Sequence, residues 1–299
     1  MATDVLLKEP AIEFSAALEA ASGTRMRRNY CDPMPPDAIF TAYDDVLMAN
    51  RPDRGLDVLA RTGVLQQTLP EVFALVGFGD AIRHKDVWAH TKQVICQTPA
   101  RRAVRWGALF HDIGKVPTRR FTSDGQVTFL GHPEVGARMF DKIASRLPFP
   151  EKLRTEIRFL IAAHLRASAY SDDWTDSAVR RFAKDSGPCL ADLLDLCRAD
   201  ITSKYEEKVR RGLRQINCLA ERVEKILRLD ARPKALPTGL GEALIRELNI
   251  VPGKTLGNLM KALTQVVDSG QLPRGAEYRV YIDHVRANPA ILADSESKK

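Results

Sequence analysis

The segment Trp106-Gly107-Ala108-Leu109-Phe110-His111-Asp112-Ile113-Gly114-Lys115 begins as an apolar helix and runs straight into an adjacent imidazole and carboxylate. Neighbouring residues on a regular helix point about 100° apart, so both side chains reach one centre only near a helix end. Gly114 is placed to end this helix. Imidazole nitrogen with carboxylate oxygen is a mixed donor set that suits Mn, Fe, Co, Ni or Zn better than Mg. Taken alone, a His-Asp pair reads more readily as a capping pair at a helix end than as a metal site, so its weight comes from its company.

That company is the other histidines. The chain has only His84, His90, His111, His132, His164 and His284, and five of the six fall between residues 84 and 164. His90 follows Val87-Trp88-Ala89 on a preceding helix. His132 opens a helix in Gly131-His132-Pro133-Glu134, and His164 closes the apolar run Phe159-Leu160-Ile161-Ala162-Ala163. Asp200 ends another, Leu193-Leu194-Asp195-Leu196-Cys197-Arg198-Ala199-Asp200. Polar groups repeatedly set at the ends of hydrophobic helices point to a shared buried pocket more than to isolated core histidines. His84 falls outside this set and reads as a rim residue; His284, in the C-terminal stretch, reads as exposed.

Outward from these segments the pattern is helical almost throughout, which gives an all-α fold with one short β-hairpin and helical N- and C-terminal extensions. Ala11–Ala21 has helical spacing. Pro35-Pro36 opens a second helix through Ile39, Tyr43 and Leu47, since proline suits the first turn; its Asp44-Asp45 pair reads as a solvated face. A third helix starts at Asp53 and stops at Gly63. Between Arg119 and Gly131, β-formers alternate around Ser123-Asp124-Gly125, the pattern of a hairpin. Helices resume from Pro133 and again after Pro148 and Pro150. Val209, Leu213, Ile216, Leu219, Val223 and Leu227 then mark a long amphipathic helix, with two or three shorter helices separated by Val251-Pro252-Gly253 and Gly270–Pro273. Three regions follow: 1–82, a helical neck-like lead-in; 83–204, holding nearly all the histidines; and 205–299, a helical tail able to bind RNA.

Composition narrows the function classes. Net charge is +7, from 45 Lys+Arg against 38 Asp+Glu, a mild excess that suits anionic partners such as nucleotides or RNA. The five cysteines are scattered, odd in number and never spaced C-x-x-C, which argues against a disulfide framework or zinc ribbon and fits a reducing cytoplasm. The N-terminus has no basic-then-apolar leader and no run is long enough to span a bilayer, so the expectation is a cytoplasmic protein without membrane contact.

The order His90, His111-Asp112, His132, His164, Asp200 resembles that of the HD superfamily of metal-dependent phosphohydrolases. Longer strings, among them His84–Thr91, Ala108–Lys115 with Thr118-Arg119, Gly131–Ala137, Asp176–Arg181 and Ala199–Lys204, are similar to the C-terminal two-thirds of bacterial tRNA nucleotidyltransferases (CCA-adding enzymes) that carry an HD domain. The resemblance implies one or two divalent metals. His90, His111, Asp112 and Asp200 would hold one; His132 and His164 would hold the second, with Asp112 bridging. It further implies that Lys115 contacts the substrate phosphate, and that 2′,3′-cyclic or 2′-phosphates on nucleotides or RNA ends are hydrolysed. Arg119, Arg120 and Arg166 offer planar forks for phosphate oxygens, though each also reads as a surface residue aiding solubility. The first 80 residues are too few for the polymerase head of those enzymes, so no nucleotidyltransferase activity is expected. The competing readings are a signalling-nucleotide hydrolase and a non-catalytic tRNA- or RNA-binding module with a vestigial site. For the latter the basic run Lys204, Lys208, Arg210, Arg211 and Arg214 is the feature to watch, although Glu206, Glu207 and Glu221 dilute it.

Overall fold

A computed structural model describes residues 10–22, 34–79, 86–231 and 233–292. Helix makes up 71% of the described residues, beside a single two-stranded hairpin, so the all-α expectation holds. The helices are α1 (Pro10–Ser22), α2 (Pro36–Met48), α3 (Pro52–Thr62), α4 (Val64–Thr68), α5 (Pro70–Phe73), α6 (Val87–Gln97), α7 (Arg102–Phe110) and α8 (Lys115–Thr118). After strands β1 (Arg120–Phe121) and β2 (Val127–Thr128) come α9 (His132–Arg146), α10 (Glu151–Ala163), α11 (Asp176–Ser186), α12 (Leu190–Asp200) and α13 (Glu206–Asp230). After these come α14 (Leu240–Leu248), α15 (Lys254–Asp268) and α16 (Tyr278–Ala287).

Local chemistry accounts for many of these boundaries. Proline occupies the first turn of α2, α3 and α9, where its missing N–H is no loss. Gly63 stops α3 in the left-handed region at φ 84°. Asp86 caps α6, its Oδ1 accepting from the amides of Trp88 at 2.9 Å and Ala89 at 3.1 Å. The hairpin pairs Arg120 with Thr128 and Phe121 with Val127, antiparallel, across the Ser123-Asp124-Gly125 turn.

The chain divides into two compact units, Met1–Glu224 and Lys225–Lys299. In the first, α7 is the central element: every residue from Ala103 to Phe110 is buried, and α2, α6, α10 and α12 pack around it. Its one charge inside the cage, Arg105, is satisfied by donating to the carbonyls of Leu47 and Ala49 at the end of α2. Trp106 stacks between Phe40 and Phe110, each at 5.6 Å, with Phe149 edge-on at 5.0 Å. Aromatic pairs of this kind contribute about 0.5–1.5 kcal/mol beyond their burial.

Three expectations are corrected here. Asp44 is buried, not on a solvated face: its carboxylate accepts from the Trp106 indole at 3.0 Å and from Arg102 Nε at 2.8 Å. An aspartate inside a helix has no such partners in its own sequence; they come from α7, and they bolt α2 to it. On the long helix, Ile216, Leu219 and Val223 are buried as expected, but Ile226 takes the next inward position and Leu227 is exposed. The second unit has its own core, in which Leu240, Leu244, Leu259, Leu263, Tyr281 and Val285 are fully or nearly fully buried. His284 is half-buried on α16 rather than exposed. No helix among the described residues is long and apolar enough to cross a membrane.

Candidate metal centre

Helix ends deliver the polar side chains. His111 and Asp112 follow the last turn of α7, His164 follows that of α10, and Asp200 is the last residue of α12. The carbonyl ends of three helices therefore meet here, and helix C-termini favour positive charge. His132 starts α9 directly after Gly131, whose φ of 73° turns the chain out of the hairpin, and His90 lies on α6. Gly114 does not end α7 through a left-handed conformation; its φ is −68°. It is needed for close approach, because a Cβ there would lie 2.1 Å from the His132 carbonyl oxygen and 2.7 Å from the Gly136 amide nitrogen. The absent side chain lets the His111-Asp112 turn rest directly on the start of α9.

The six residues converge. His90 Nε2 lies 3.0 Å from Asp200 Oδ1 and 3.5 Å from Asp112 Oδ2. His111 Nε2 is 3.3 Å from His90 Nε2, 3.2 Å from Asp112 Oδ2 and 3.5 Å from Asp200 Oδ1. On the other side, His132 Nε2 lies 3.1 Å from His164 Nε2 and 3.5 Å from Asp112 Oδ1. The donors fall into two trios, His90/His111/Asp200 and Asp112/His132/His164, each with its ligand atoms within 4.8 Å of one another.

Proton bookkeeping tests whether these donors fit a cation. The Nδ1 atoms of His111, His132 and His164 face the carbonyl oxygens of Ala108 at 2.8 Å, Phe129 at 2.9 Å and Ile161 at 2.7 Å. A carbonyl only accepts, so each Nδ1 carries a hydrogen, and whenever the ring is neutral its Nε2 lone pair points inward. Lone pairs of His132 and His164 facing at 3.1 Å repel unless a positive charge stands with them. Asp112 Oδ1 is buried with no hydrogen-bond partner among the described residues. An orphaned carboxylate oxygen among inward-facing imidazoles is what a cation satisfies.

The carboxylates set His111 apart, as the ring on which a proton can stand where a cation would. Burial opposes charging His111, yet Asp112 and Asp200 outweigh it and hold its pKa up to about 10. Burial, and then the charge on His111, push neighbouring His164 down to about 4. Burial also opposes ionising Asp112 and Asp200, but the imidazoles around them, with Lys115 beside Asp112, hold both well below the ordinary carboxylate range. The pocket is an anionic well that draws in positive charge.

Residues 86–205 match the HD domain family. The chain is 31% identical over 245 residues to a CC-adding tRNA nucleotidyltransferase of Thermus thermophilus, covering 79% of this chain and 54% of that protein. It is 30% identical over 238 residues to an A-adding tRNA nucleotidyltransferase of Deinococcus radiodurans, covering 77% and 54%. This chain carries an HD domain. It is homologous to the C-terminal, HD-bearing region of those tRNA nucleotidyltransferases and spans about half the length of these curated relatives.

Around the HD centre, Lys115 reaches Asp112 Oδ2 at 2.6 Å and lies 5.8 Å from the centroid of the Phe129 ring. The arginines differ in surroundings. Arg119 sits between the rings of Phe78 at 5.3 Å and Phe121 at 5.0 Å. Arg120 is exposed and donates to the Arg119 carbonyl at 3.0 Å. Arg166 is held by Asp185 at 2.9 Å and lies over Phe182. His84 lies outside the described residues. Sequence reasoning missed Thr202, whose hydroxyl meets His90 Nδ1 at 2.8 Å, and Gln97, which donates to the Ala199 carbonyl at 2.7 Å beside Asp200. Thr202 stands in the Ala199–Lys204 string, but no spacing rule links it to a histidine 112 residues away.

Proposed function

We propose that this chain is a metal-dependent phosphohydrolase acting as a phosphodiesterase or phosphatase on nucleotide or RNA-end phosphates, with 2′,3′-cyclic and 2′-phosphates as the leading substrates. The observation that carries the proposal is the convergence of four imidazole Nε2 atoms on two ionised carboxylates, three of the rings with Nδ1 already committed to backbone carbonyls.

His90, His111 and Asp200 would hold one divalent ion and Asp112, His132 and His164 a second, with Asp112 between them. The nitrogen-rich donor set favours Mn, Fe, Co, Ni or Zn over Mg. A divalent ion held there supplies Lewis acidity to a phosphoryl oxygen and brings a water's pKa towards neutral. The chain's own groups do the rest. Lys115, half-buried at the edge of the pocket, exchanges its contact with Asp112 for a phosphoryl oxygen and offsets the charge that accumulates there. Arg119 and Arg120 offer further donors at the rim, and Arg166 does so once its pair with Asp185 opens.

Apolar exposure supports a nucleotide class. Within residues 86–205 the exposed large hydrophobic side chains are Phe121, Leu130, Leu165 and Tyr205. Each lies on the hairpin or within a few residues of His132, His164 or Asp200, where a nucleobase beside the reacting phosphate finds flat apolar contacts. In this reading residues 1–82 act as a neck, 83–204 as the hydrolase domain and 205–299 as a tail that contacts tRNA or other RNA. The long-helix basic run is a poor phosphate track, because Arg210 and Arg214 both pair with Glu207.

The test is a substrate panel of nucleoside 2′,3′-cyclic phosphates, nucleoside monophosphates, guanosine tetraphosphate and RNA with a 2′,3′-cyclic end, run with Mn, Co, Ni and Mg. Turnover of the cyclic or 2′-phosphate substrates, abolished by chelator and by Asp112→Ala, is expected. Turnover of guanosine tetraphosphate alone would transfer the site to signalling-nucleotide hydrolysis. No turnover, with salt-dependent RNA retention that survives His111→Ala, would reduce the chain to a binding module.

A further inference from the structure

Three of the four histidines are latched by their own local backbone, each Nδ1 donating to the carbonyl three residues earlier. His90 is held differently, by the Thr202 hydroxyl, which comes from the loop beyond α12, two residues past Asp200. A carbonyl only accepts, whereas a hydroxyl can accept or donate. When Thr202 accepts, His90 carries its hydrogen on Nδ1 and turns the Nε2 lone pair inward. When Thr202 donates, the hydrogen moves to Nε2 and closes onto Asp200 Oδ1, 3.0 Å away. The second arrangement satisfies both residues without a cation.

Exposure divides the trios the same way. The Asp200 side chain is 19% exposed, that of Asp112 1%. Asp112, His132 and His164 are all buried, while His90 and Asp200 stand at the solvent side of the pocket.

From this asymmetry we infer that the two ion positions are inequivalent: the Asp112/His132/His164 position retains its ion, the His90/His111/Asp200 position exchanges, and Thr202 is the positioning residue that makes His90 competent as a ligand. The inference rests on the metal-centre reading above. Thr202 touches no reacting atom; it acts through the His90 ring.

The experiment titrates the chelator-treated 299-residue chain with Mn²⁺, followed by calorimetry and by the electron paramagnetic resonance signal of free Mn²⁺. Wild type should show a tight and a weaker site. Thr202→Val, nearly the same shape but without the hydroxyl, should weaken the second site by about 10–100-fold, the usual effect of losing a ligand's orienting partner, and leave the first unchanged. Thr202→Ser should restore it. A Thr202→Val protein that titrates like wild type, or one folded by circular dichroism that loses both sites equally, overturns the inference while leaving the metal centre standing. Wild type that binds no Mn²⁺ overturns the metal centre as well. Two sites that behave as inferred, without turnover on any phosphate, would instead refute only the proposed function.

Discussion

Gly114→Ala places one methyl group against backbone atoms that have no room to give. The added Cβ would sit 2.1 Å from the His132 carbonyl oxygen, below the 3.0 Å floor of real Cβ contacts. Restoring that floor moves the His111-Asp112 turn and the start of α9 apart by about 0.9 Å, and the Gly136 amide at 2.7 Å blocks a sideways escape. Metal–ligand distances tolerate only about 0.2 Å, and the separation acts directly between Asp112 and His132, now 3.5 Å apart. Overpacking of this kind costs about 1–3 kcal/mol, or roughly 2–12 °C in Tm at 2–4 °C per kcal/mol for a unit of this size. The expected phenotype is a folded protein with lowered Tm and Mn²⁺ affinity reduced by at least about tenfold at the Asp112/His132/His164 position. Differential scanning calorimetry and Mn²⁺ titration read both effects. Unchanged Tm with unchanged affinity would refute the claim that this close approach sets the ligand geometry.

Asp44→Ala leaves the Trp106 indole buried without an acceptor and should cost about 1–3 kcal/mol in urea unfolding; Asp44→Asn, which keeps an acceptor oxygen, should recover much of it. Asp53 is held down to about 2, first by hydrogen bonds from Arg51. Because its folded pKa lies below the unfolded value, its contribution is present above pH 3.8 and is lost as pH falls through about 2. The stability gap between wild type and Asp53→Asn should therefore be constant near pH 5 and shrink towards pH 2 in parallel denaturation curves. Bound metal should protect the fold: Mn²⁺ at 100 times its Kd adds about 2.7 kcal/mol by mass action, raising Tm in a scan that excess chelator reverses.

How far the sequence carried depended on whether a feature was local. The apolar run ending in His111-Asp112, the Pro-initiated helices and the Ser123-Asp124-Gly125 hairpin are written in short periodicities and turn residues, and they appear where those patterns place them. His111, Asp112, His164 and Asp200 were legible because each marks the end of a hydrophobic helix, and His90 and His132 because they fall in the order of the family pattern. What escaped depends on long-range contact. Asp44 is polar within a helical stretch, and only the packing of α7 makes it a buried acceptor. Gly114 resembled a helix stop, whereas its role is steric and involves residues 18 to 22 positions later. Thr202 acquires a role only when α12 ends beside α6.

Crystals loaded with Mn²⁺ and measured at its anomalous edge would locate the ions directly. One peak should be bounded by His132 Nε2, His164 Nε2 and Asp112, and a second, of lower occupancy, by His90 Nε2, His111 Nε2 and Asp200. Their separation should be about 3.5–4 Å. Fully loaded crystals with no peak among these six side chains would contradict the metal centre.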